Sequence, residues 1–95
     1  MSEKTCAHIF ITGKVQGVGF RAFTRATATE LGIFGWVRNL GYDEVECMLE
    51  GERAVLEALI AILQRGPRAG RVDNLAVEWL PASGKFSKME IHASA

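Results

Sequence analysis

The stretch GKVQGVGFRAF, residues 13–23, joins two different hydrophobic periodicities. Before it, apolar and polar residues alternate along residues 6–13, which predicts a β-strand with two distinct faces. After it, residues that can face a core recur at intervals of four, four and three, which predicts a helix. Gly32 marks the end of that helix. The helical stripe consists of Phe20, Thr24, Ala28 and Leu31. The stretch is therefore a glycine-rich turn that leads from a strand into a helix.

The same periodicities predict the remaining elements of the chain. We expect strands at residues 34–40, 44–51 and 72–80, a helix over about 52–65 with Glu52 in its first turn, and a short last strand within 86–91. This order of strand, helix, strand, strand, helix and strand indicates an α+β fold, a ferredoxin-like two-layer sandwich. Such a fold places two helices on one face of a mostly antiparallel sheet. No repeat or linker interrupts it, so we expect residues 1–95 to form a single domain.

Composition and charge narrow the classes of function. Hydrophobic residues make up 48% of the 95 residues, and eleven basic residues balance eleven acidic ones. Zero net charge gives no general attraction to nucleic acid or to a membrane surface, and no apolar run approaches the roughly 20 residues of a membrane helix. The N-terminus lacks a signal-peptide pattern, so we expect a cytoplasmic protein without nucleic-acid or membrane partners.

The glycine-rich turn is suited to binding an anion. Gly17 and Gly19 give the backbone the freedom to converge its N–H groups, and a helix N-terminus adds further unpaired N–H groups. Arg21 in the first helical turn opposes the helix dipole, a conflict that a bound phosphate would remove. An ordinary turn followed by a solvated arginine remains the alternative. The loop matches neither GxxxxGK[ST] nor GxGxxG, so no nucleotide-binding fingerprint applies.

Four segments together resemble the acylphosphatase family. They are GKVQGVGFR at 13–21, GWVRN at 35–39, VECMLEG at 45–51 and RGPRAGRVDNL at 65–75. The resemblance covers nearly the whole chain. It implies hydrolysis of acyl phosphates to a carboxylate and inorganic phosphate by direct attack of water, with no metal or other cofactor. It also implies a small-molecule substrate, and we expect a monomer.

The resemblance also implies roles for individual residues. Arg21 would clamp the phosphate, and the side chain of Asn39 would orient the attacking water, with its amide oxygen accepting a hydrogen bond. An acyl phosphate has a good leaving group, so positioning and charge stabilisation would be enough for catalysis. The implied phosphate-binding residues are Gln16, Gly17, Val18, Gly19, Phe20 and Arg21.

Two positions depart from the family pattern, and two other functions stay open. Asp43 stands where a turn glycine is common, and Met89 stands where an aromatic residue is usual. One alternative is a non-catalytic module that binds an anion, or that binds RNA by stacking bases on Phe10 and Trp36. The other is an acylphosphatase-like domain of a hydrogenase-maturation protein, in which a proline usually follows the arginine. Ala22 occupies that position here, so we expect a free-standing enzyme.

Alternation assigns the remaining reactive side chains to the two faces of the sheet. Cys47 should be buried under the helices, whereas Cys6 should lie on the open face as the more accessible of two free thiols. The carboxylates of the third strand should form a solvated face; they are Glu44, Glu46 and Glu50. We expect no catalytic or metal-binding role for His8 or His92, and packing roles for Trp36 and Trp79.

Overall fold

Five strands and two helices follow one another in the predicted order along residues 3–95, the part of the chain that the computed structural model describes. The elements are β1 (Lys4–Lys14), α1 (Phe20–Glu30), β2 (Phe34–Leu40), β3 (Glu44–Glu52), α2 (Arg53–Arg65), β4 (Arg71–Pro81) and β5 (Met89–Ile91). The predicted strands and helices are therefore present, with small differences at their ends.

The strands form one sheet in the order β4-β1-β3-β2-β5. All neighbouring strands are antiparallel except β2 and β5, which are parallel. In the centre, Ile9 of β1 faces Cys47 of β3 on one side and Val77 of β4 on the other. This topology confirms the predicted α+β ferredoxin-like sandwich.

The core lies between the sheet and the two helices. Ala7, Ile9 and Ile11 are completely buried, as the alternation of β1 predicted. They pack in one cluster with buried side chains of both helices, namely Phe20, Ala28, Leu56, Leu59 and Leu63. Complete burial of each larger apolar side chain contributes about 1.5–3 kcal/mol to folding. The core therefore fixes both helices on the same face of the sheet.

The start of the second helix differs from the prediction. Glu52 is not in the first turn of α2, because it has extended backbone angles and precedes the helix, which begins at Arg53. A short last strand was predicted within residues 86–91, and it spans Met89–Ile91. Residues 82–88 before it form a loop that contacts the face of the sheet away from the helices, through Ser83 and Gly84.

Glu46 is buried, so the prediction of a fully solvated acidic face is wrong. Its carboxylate accepts a hydrogen bond from Arg38 Nε at 2.7 Å and lies 2.6 Å from His8 Nε2. Burial alone would raise the pKa of the Glu46 carboxyl, but the contacts with His8 and Arg38 outweigh it and hold that pKa below its ordinary value. The sequence pattern predicted the face of the sheet on which Glu46 lies. It did not predict that His8 of β1 and Arg38 of β2 lie beside it.

Glu50 is also buried, and the loop of residues 82–88 covers it. Its carboxylate accepts hydrogen bonds from the backbone N–H groups of Ser83 at 2.8 Å and Gly84 at 2.6 Å, and from the Ser83 hydroxyl at 2.9 Å. Burial works against ionisation, but these donors hold the pKa of Glu50 below its ordinary value. Glu50 thus fastens the loop before β5 to the sheet.

The two cysteines are free, and both are buried. Cys6 lies opposite Glu50 in the β1–β3 register and so on the face away from the helices, as predicted. The prediction that its thiol is accessible is wrong, since only 4% of the residue is exposed. Burial raises the pKa of the Cys6 thiol, with a further contribution from Glu50, and burial raises the pKa of Cys47 more strongly.

Asp43 does not take the left-handed conformation that the family's turn glycine suggests. Within residues 3–95, every residue with a positive φ is a glycine. In the turn between β2 and β3, Gly41 adopts this conformation, with φ of 62°. The substitution of aspartate for glycine at position 43 is therefore accommodated without backbone strain.

Candidate active site

The loop between β1 and α1 turns through two left-handed glycines. Gly17 and Gly19 have φ values of 72° and 79°, a region that side chains with a Cβ atom rarely occupy. Gly19 is the N-cap of α1, and no side chain of the described residues caps this helix end. The unpaired N–H groups of the first helical turn therefore remain available to an anion.

The side chain of Gln16 ties this loop to the turn between β2 and β3. Its Nε2 group donates to the backbone carbonyls of Glu44 at 2.9 Å, Gly41 at 3.1 Å and Leu40 at 3.4 Å. The Gln16 amide therefore points at the hairpin that follows Asn39. These contacts fix the loop relative to the strand end that carries Asn39.

A cavity of about 230 Å³ lies between the loop, the first turn of α1 and the end of β2. Five of the predicted site residues meet there, whereas Gln16 and Val18 do not line it. Val18 packs against the hydrophobic core instead. The lining residues are Val15, Gly17, Gly19, Phe20, Arg21, Ala22, Asn39 and Ile91.

Arg21 is the positively charged residue of this cavity. It occupies the first turn of α1, where the helix dipole does not favour a cation. None of the ion pairs within residues 3–95 includes Arg21. The planar guanidinium has two parallel donors, the arrangement that suits a phosphate group. The cavity thus combines a fixed positive charge with the N-terminus of a helix.

Asn39 is held by its backbone and carries an unpaired side-chain oxygen. Its carbonyl accepts a hydrogen bond from the backbone N–H of Ala95 at 2.9 Å, and Gly41 N–H donates to the Ala95 carbonyl at 2.9 Å. Its Oδ1 atom is buried, and no donor among residues 3–95 reaches it. A buried acceptor without a donor costs roughly 1–3 kcal/mol, so this oxygen is suited to a hydrogen bond from a bound molecule.

The contribution of the chain after β4 was missed by the sequence interpretation. Ile91 of β5 lines the cavity, and the backbone of residues 92–95 continues beside β2. The segment HASA has no apolar alternation that would mark it as part of a sheet. The pairing of β5 with β2 is set by long-range contacts, and the sequence pattern does not reveal it.

A larger cavity, of about 350 Å³, lies at the opposite end of the sheet, near Phe34 and Glu50. Its buried carboxylate would repel a phosphate group, and that carboxylate already accepts three hydrogen bonds from the 82–88 loop. We therefore place the candidate active site at the smaller cavity, which contains Arg21 and Asn39.

Metal-binding clusters and membrane-spanning helices are both absent from the described residues. Across residues 3–95, no three Asp, Glu, His or Cys side chains lie close enough together to hold a metal ion. In the same range, neither helix has the length and apolar character required to cross a bilayer.

The model of the acylphosphatase family matches residues 7–91. The chain belongs to the acylphosphatase family. Acylphosphatases from Pseudomonas paraeruginosa and Anaeromyxobacter dehalogenans are 49% and 43% identical to it. The first match covers 85% of this chain and 89% of the relative, and the second covers 96% and 98%. The chain is thus an acylphosphatase, a hydrolase that cleaves the carboxyl–phosphate bond of acyl phosphates.

Solved structures of acylphosphatases have the same fold. The acylphosphatase from Coxiella burnetii superposes with a TM-score of 0.89 at 37% identity, over 94% of this chain and 93% of that one. A full-length HypF structure, described as phosphate- and nucleotide-bound, matches with a TM-score of 0.88 at 26% identity. That match covers 99% of this chain but only 12% of HypF. The fold of this acylphosphatase therefore also occurs as a small part of a much larger protein.

Proposed function

We propose that Arg21 and Asn39 carry out the acylphosphatase reaction, with the phosphate held by the loop of residues 16–21. The main support is that Arg21 and Asn39 line one cavity at the N-terminus of α1. The phosphoryl group binds to the backbone N–H groups that begin at Gly17 and to the guanidinium of Arg21. Gln16 contributes through its position in the loop, because its side chain bonds to the β2–β3 turn.

The chemical step in this proposal is a direct displacement at phosphorus. The oxygen of a water held by Asn39 Oδ1 forms a bond to phosphorus while the bond from phosphorus to the acyl oxygen breaks. The electron pair of that bond leaves with the carboxylate, and the water proton passes to a phosphoryl oxygen. The products are a carboxylate and inorganic phosphate. A carboxylate is a stable leaving group, so the residues need only position the reactants and stabilise charge.

We further propose that residues 1–95 act as a monomeric single domain in the cytoplasm, without a metal, another cofactor or nucleic acid. One sheet and one core, together with zero net charge, support this view. The RNA-binding alternative has less support, because the Trp36 ring stacks on His92 with centroids 5.3 Å apart. Phe10 likewise packs against His8, at 4.5 Å between ring centroids.

Hydrolysis of benzoyl phosphate, with and without a metal chelator, tests the proposed function. We expect the same rate in both conditions and competitive inhibition by inorganic phosphate. Loss of the rate on chelation would show that a metal takes part, and the direct mechanism would then be wrong. A wild-type protein that binds phosphate without hydrolysing benzoyl phosphate would instead be a non-catalytic binding module.

A further inference from the structure

A groove of about 510 Å³ runs along α1 from the phosphate cavity. It shares two lining residues with that cavity, Ala22 and Ile91, so the two spaces adjoin. The full lining consists of Ala22, Arg25, Ala26, Thr29, Glu30 and Ile91. The acyl group of a substrate whose phosphoryl group sits beside Arg21 can therefore extend into the groove.

The groove offers an apolar surface with one free positive charge near its beginning. The small side chains of Ala22 and Ala26 leave space beside α1, and Ile91 provides an apolar wall that is 38% exposed. Arg25 follows Arg21 by four residues, so its side chain emerges on the same side of the helix, about 6 Å further along the axis. None of the ion pairs and side-chain hydrogen bonds within residues 3–95 includes Arg25.

The other charged groups near the groove limit which acyl groups it accepts. Glu30 lies at its far end and would repel an anion placed there. Glu90 and His92 neighbour Ile91 in sequence, but alternation along β5 directs them to the opposite face. In agreement with this direction, His92 stacks on Trp36. The environment is therefore positive near Arg25 and negative near Glu30, at the far end of the groove.

We propose that this groove is the acyl subsite and that Arg25 selects acyl phosphates whose acyl group carries a carboxylate about one helical turn from the phosphoryl group. The inference rests on the proposed function, because it takes the phosphate to bind at Arg21. The apolar wall at Ile91 contacts the carbon skeleton, and Arg25 pairs with the distal carboxylate. Arg25 is thus a residue for substrate selection, and it takes no part in the displacement at phosphorus.

The test compares benzoyl phosphate with para-carboxybenzoyl phosphate, which differ only in the distal carboxylate. We expect wild-type kcat/KM to be higher for the carboxylated substrate. Arg25→Ala should lower the ratio of the two kcat/KM values by about two- to fivefold, the range of a solvent-exposed charge pair. Arg25→Lys should keep most of the ratio, and Glu30→Gln should raise it. High salt should reduce the wild-type preference, since exposed charges are screened.

Lys85→Ala is the matched control, because it removes an exposed positive charge from the 82–88 loop at the other end of the sheet. We expect it to leave the ratio unchanged. An equal change of the ratio in Lys85→Ala and Arg25→Ala would mean that overall charge acts, and would overturn the subsite. An unchanged ratio in both Arg25→Ala and Glu30→Gln would overturn the subsite while the proposed function stands. If wild type hydrolyses neither substrate, both proposals fail.

Discussion

The side-chain amide of Gln16 donates a 2.9 Å hydrogen bond to the backbone carbonyl of Glu44. Gln16 belongs to the loop between β1 and α1, and Glu44 begins β3, the strand after the turn that follows Asn39 and β2. The bond therefore joins the two segments that carry the proposed catalytic residues. Its separation of 28 residues in sequence makes it a tertiary contact that sets the distance between loop and hairpin.

Gln16→Ala should reduce turnover without removing any group from the proposed chemistry. Loss of the three bonds frees the loop to move relative to Asn39, and a displacement of about 1 Å can cost up to about 100-fold in rate. We expect kcat to fall more than the affinity for inorganic phosphate, measured by inhibition. Gln64→Ala, at an exposed position of α2, is the matched control and should behave as wild type. Wild-type kcat in Gln16→Ala would contradict a positioning role.

Arg21→Ala should remove most of the activity and weaken inhibition by inorganic phosphate. Both depend on the same guanidinium, and loss of a preorganised donor costs on the order of 10²–10³ in rate. Arg21→Lys should recover only part of the loss, because an ammonium group cannot make the bidentate contact. Steady-state kinetics with benzoyl phosphate provide the measurement. A near wild-type rate in Arg21→Ala would exclude this residue from the site.

Asn39→Ala should lower turnover strongly and leave phosphate binding nearly intact, since its proposed partner is the attacking water. The backbone bond from Ala95 to residue 39 does not depend on the side chain, so the strand end should keep its conformation. Asn74→Ala, on the exposed part of β4, serves as the control. A fall in phosphate affinity as large as the fall in kcat would contradict the water-positioning role.

Cys6 and Cys47 should both resist thiol reagents in the native protein. Burial raises the pKa of each thiol, and the reactive thiolate is therefore scarce. We expect slow labelling of both cysteines in buffer and rapid labelling in denaturant, followed by mass spectrometry. Rapid labelling of Cys6 under native conditions would show that its neighbourhood opens locally. An intramolecular disulfide would contradict the opposite faces that the two side chains occupy.

Glu50→Gln should destabilise the protein near neutral pH and have less effect in acid. The folded-state pKa of Glu50 lies below its ordinary value of 4.5, so the ionised carboxylate contributes stability above that pH. This contribution is lost as the pH falls through the folded-state pKa. At neutral pH we expect the free energy of unfolding to fall by roughly 1.5–3 kcal/mol, because hydrogen bonds to a charged group are lost.

Denaturant unfolding at several pH values measures this difference between wild type and Glu50→Gln. The difference in the free energy of unfolding should become smaller as the pH is lowered below about 4.5. Glu57→Gln removes an exposed carboxylate from α2 and should change stability little at any pH. A constant difference between wild type and Glu50→Gln across the acid range would contradict the role of the ionised form.

The sequence predicted the elements well because periodicity reports which side of an element is apolar. Phe20, Thr24 and Ala28 were expected on one helical stripe, and all three are buried. Leu31, the fourth member, is instead 37% exposed, because it follows the last residue of α1. The pattern therefore identifies the helix and its buried side, but it is less certain at the helix end.

The sequence pattern did not predict the burial of residues that are covered by segments far away along the chain. Alternation placed Cys6, Glu46 and Glu50 correctly on the face away from the helices, and yet all three are buried. Arg38 of β2 contacts Glu46, and the 82–88 loop between β4 and β5 contacts Glu50. The motifs predicted a site with Arg21 and Asn39, and both residues line the cavity beside α1. The place of Ile91 in that cavity was not predicted, because it depends on the pairing of β5 with β2.

The position of β1 between β3 and β4 affects how the chain acquires activity during folding. Both neighbours of β1, the strand that leads into the loop before α1, lie far along the chain, and β4 ends only at Pro81. Closing such long loops costs entropy before the pairing contributes stability, so sheets of this kind fold slowly, on a scale of roughly milliseconds to seconds. In a partly folded chain without β4, one edge of β1 is unpaired, and the loop that follows β1 is attached to an incomplete sheet. Recovery of catalysis on refolding should therefore coincide with formation of the complete sheet and not with the earlier appearance of helices.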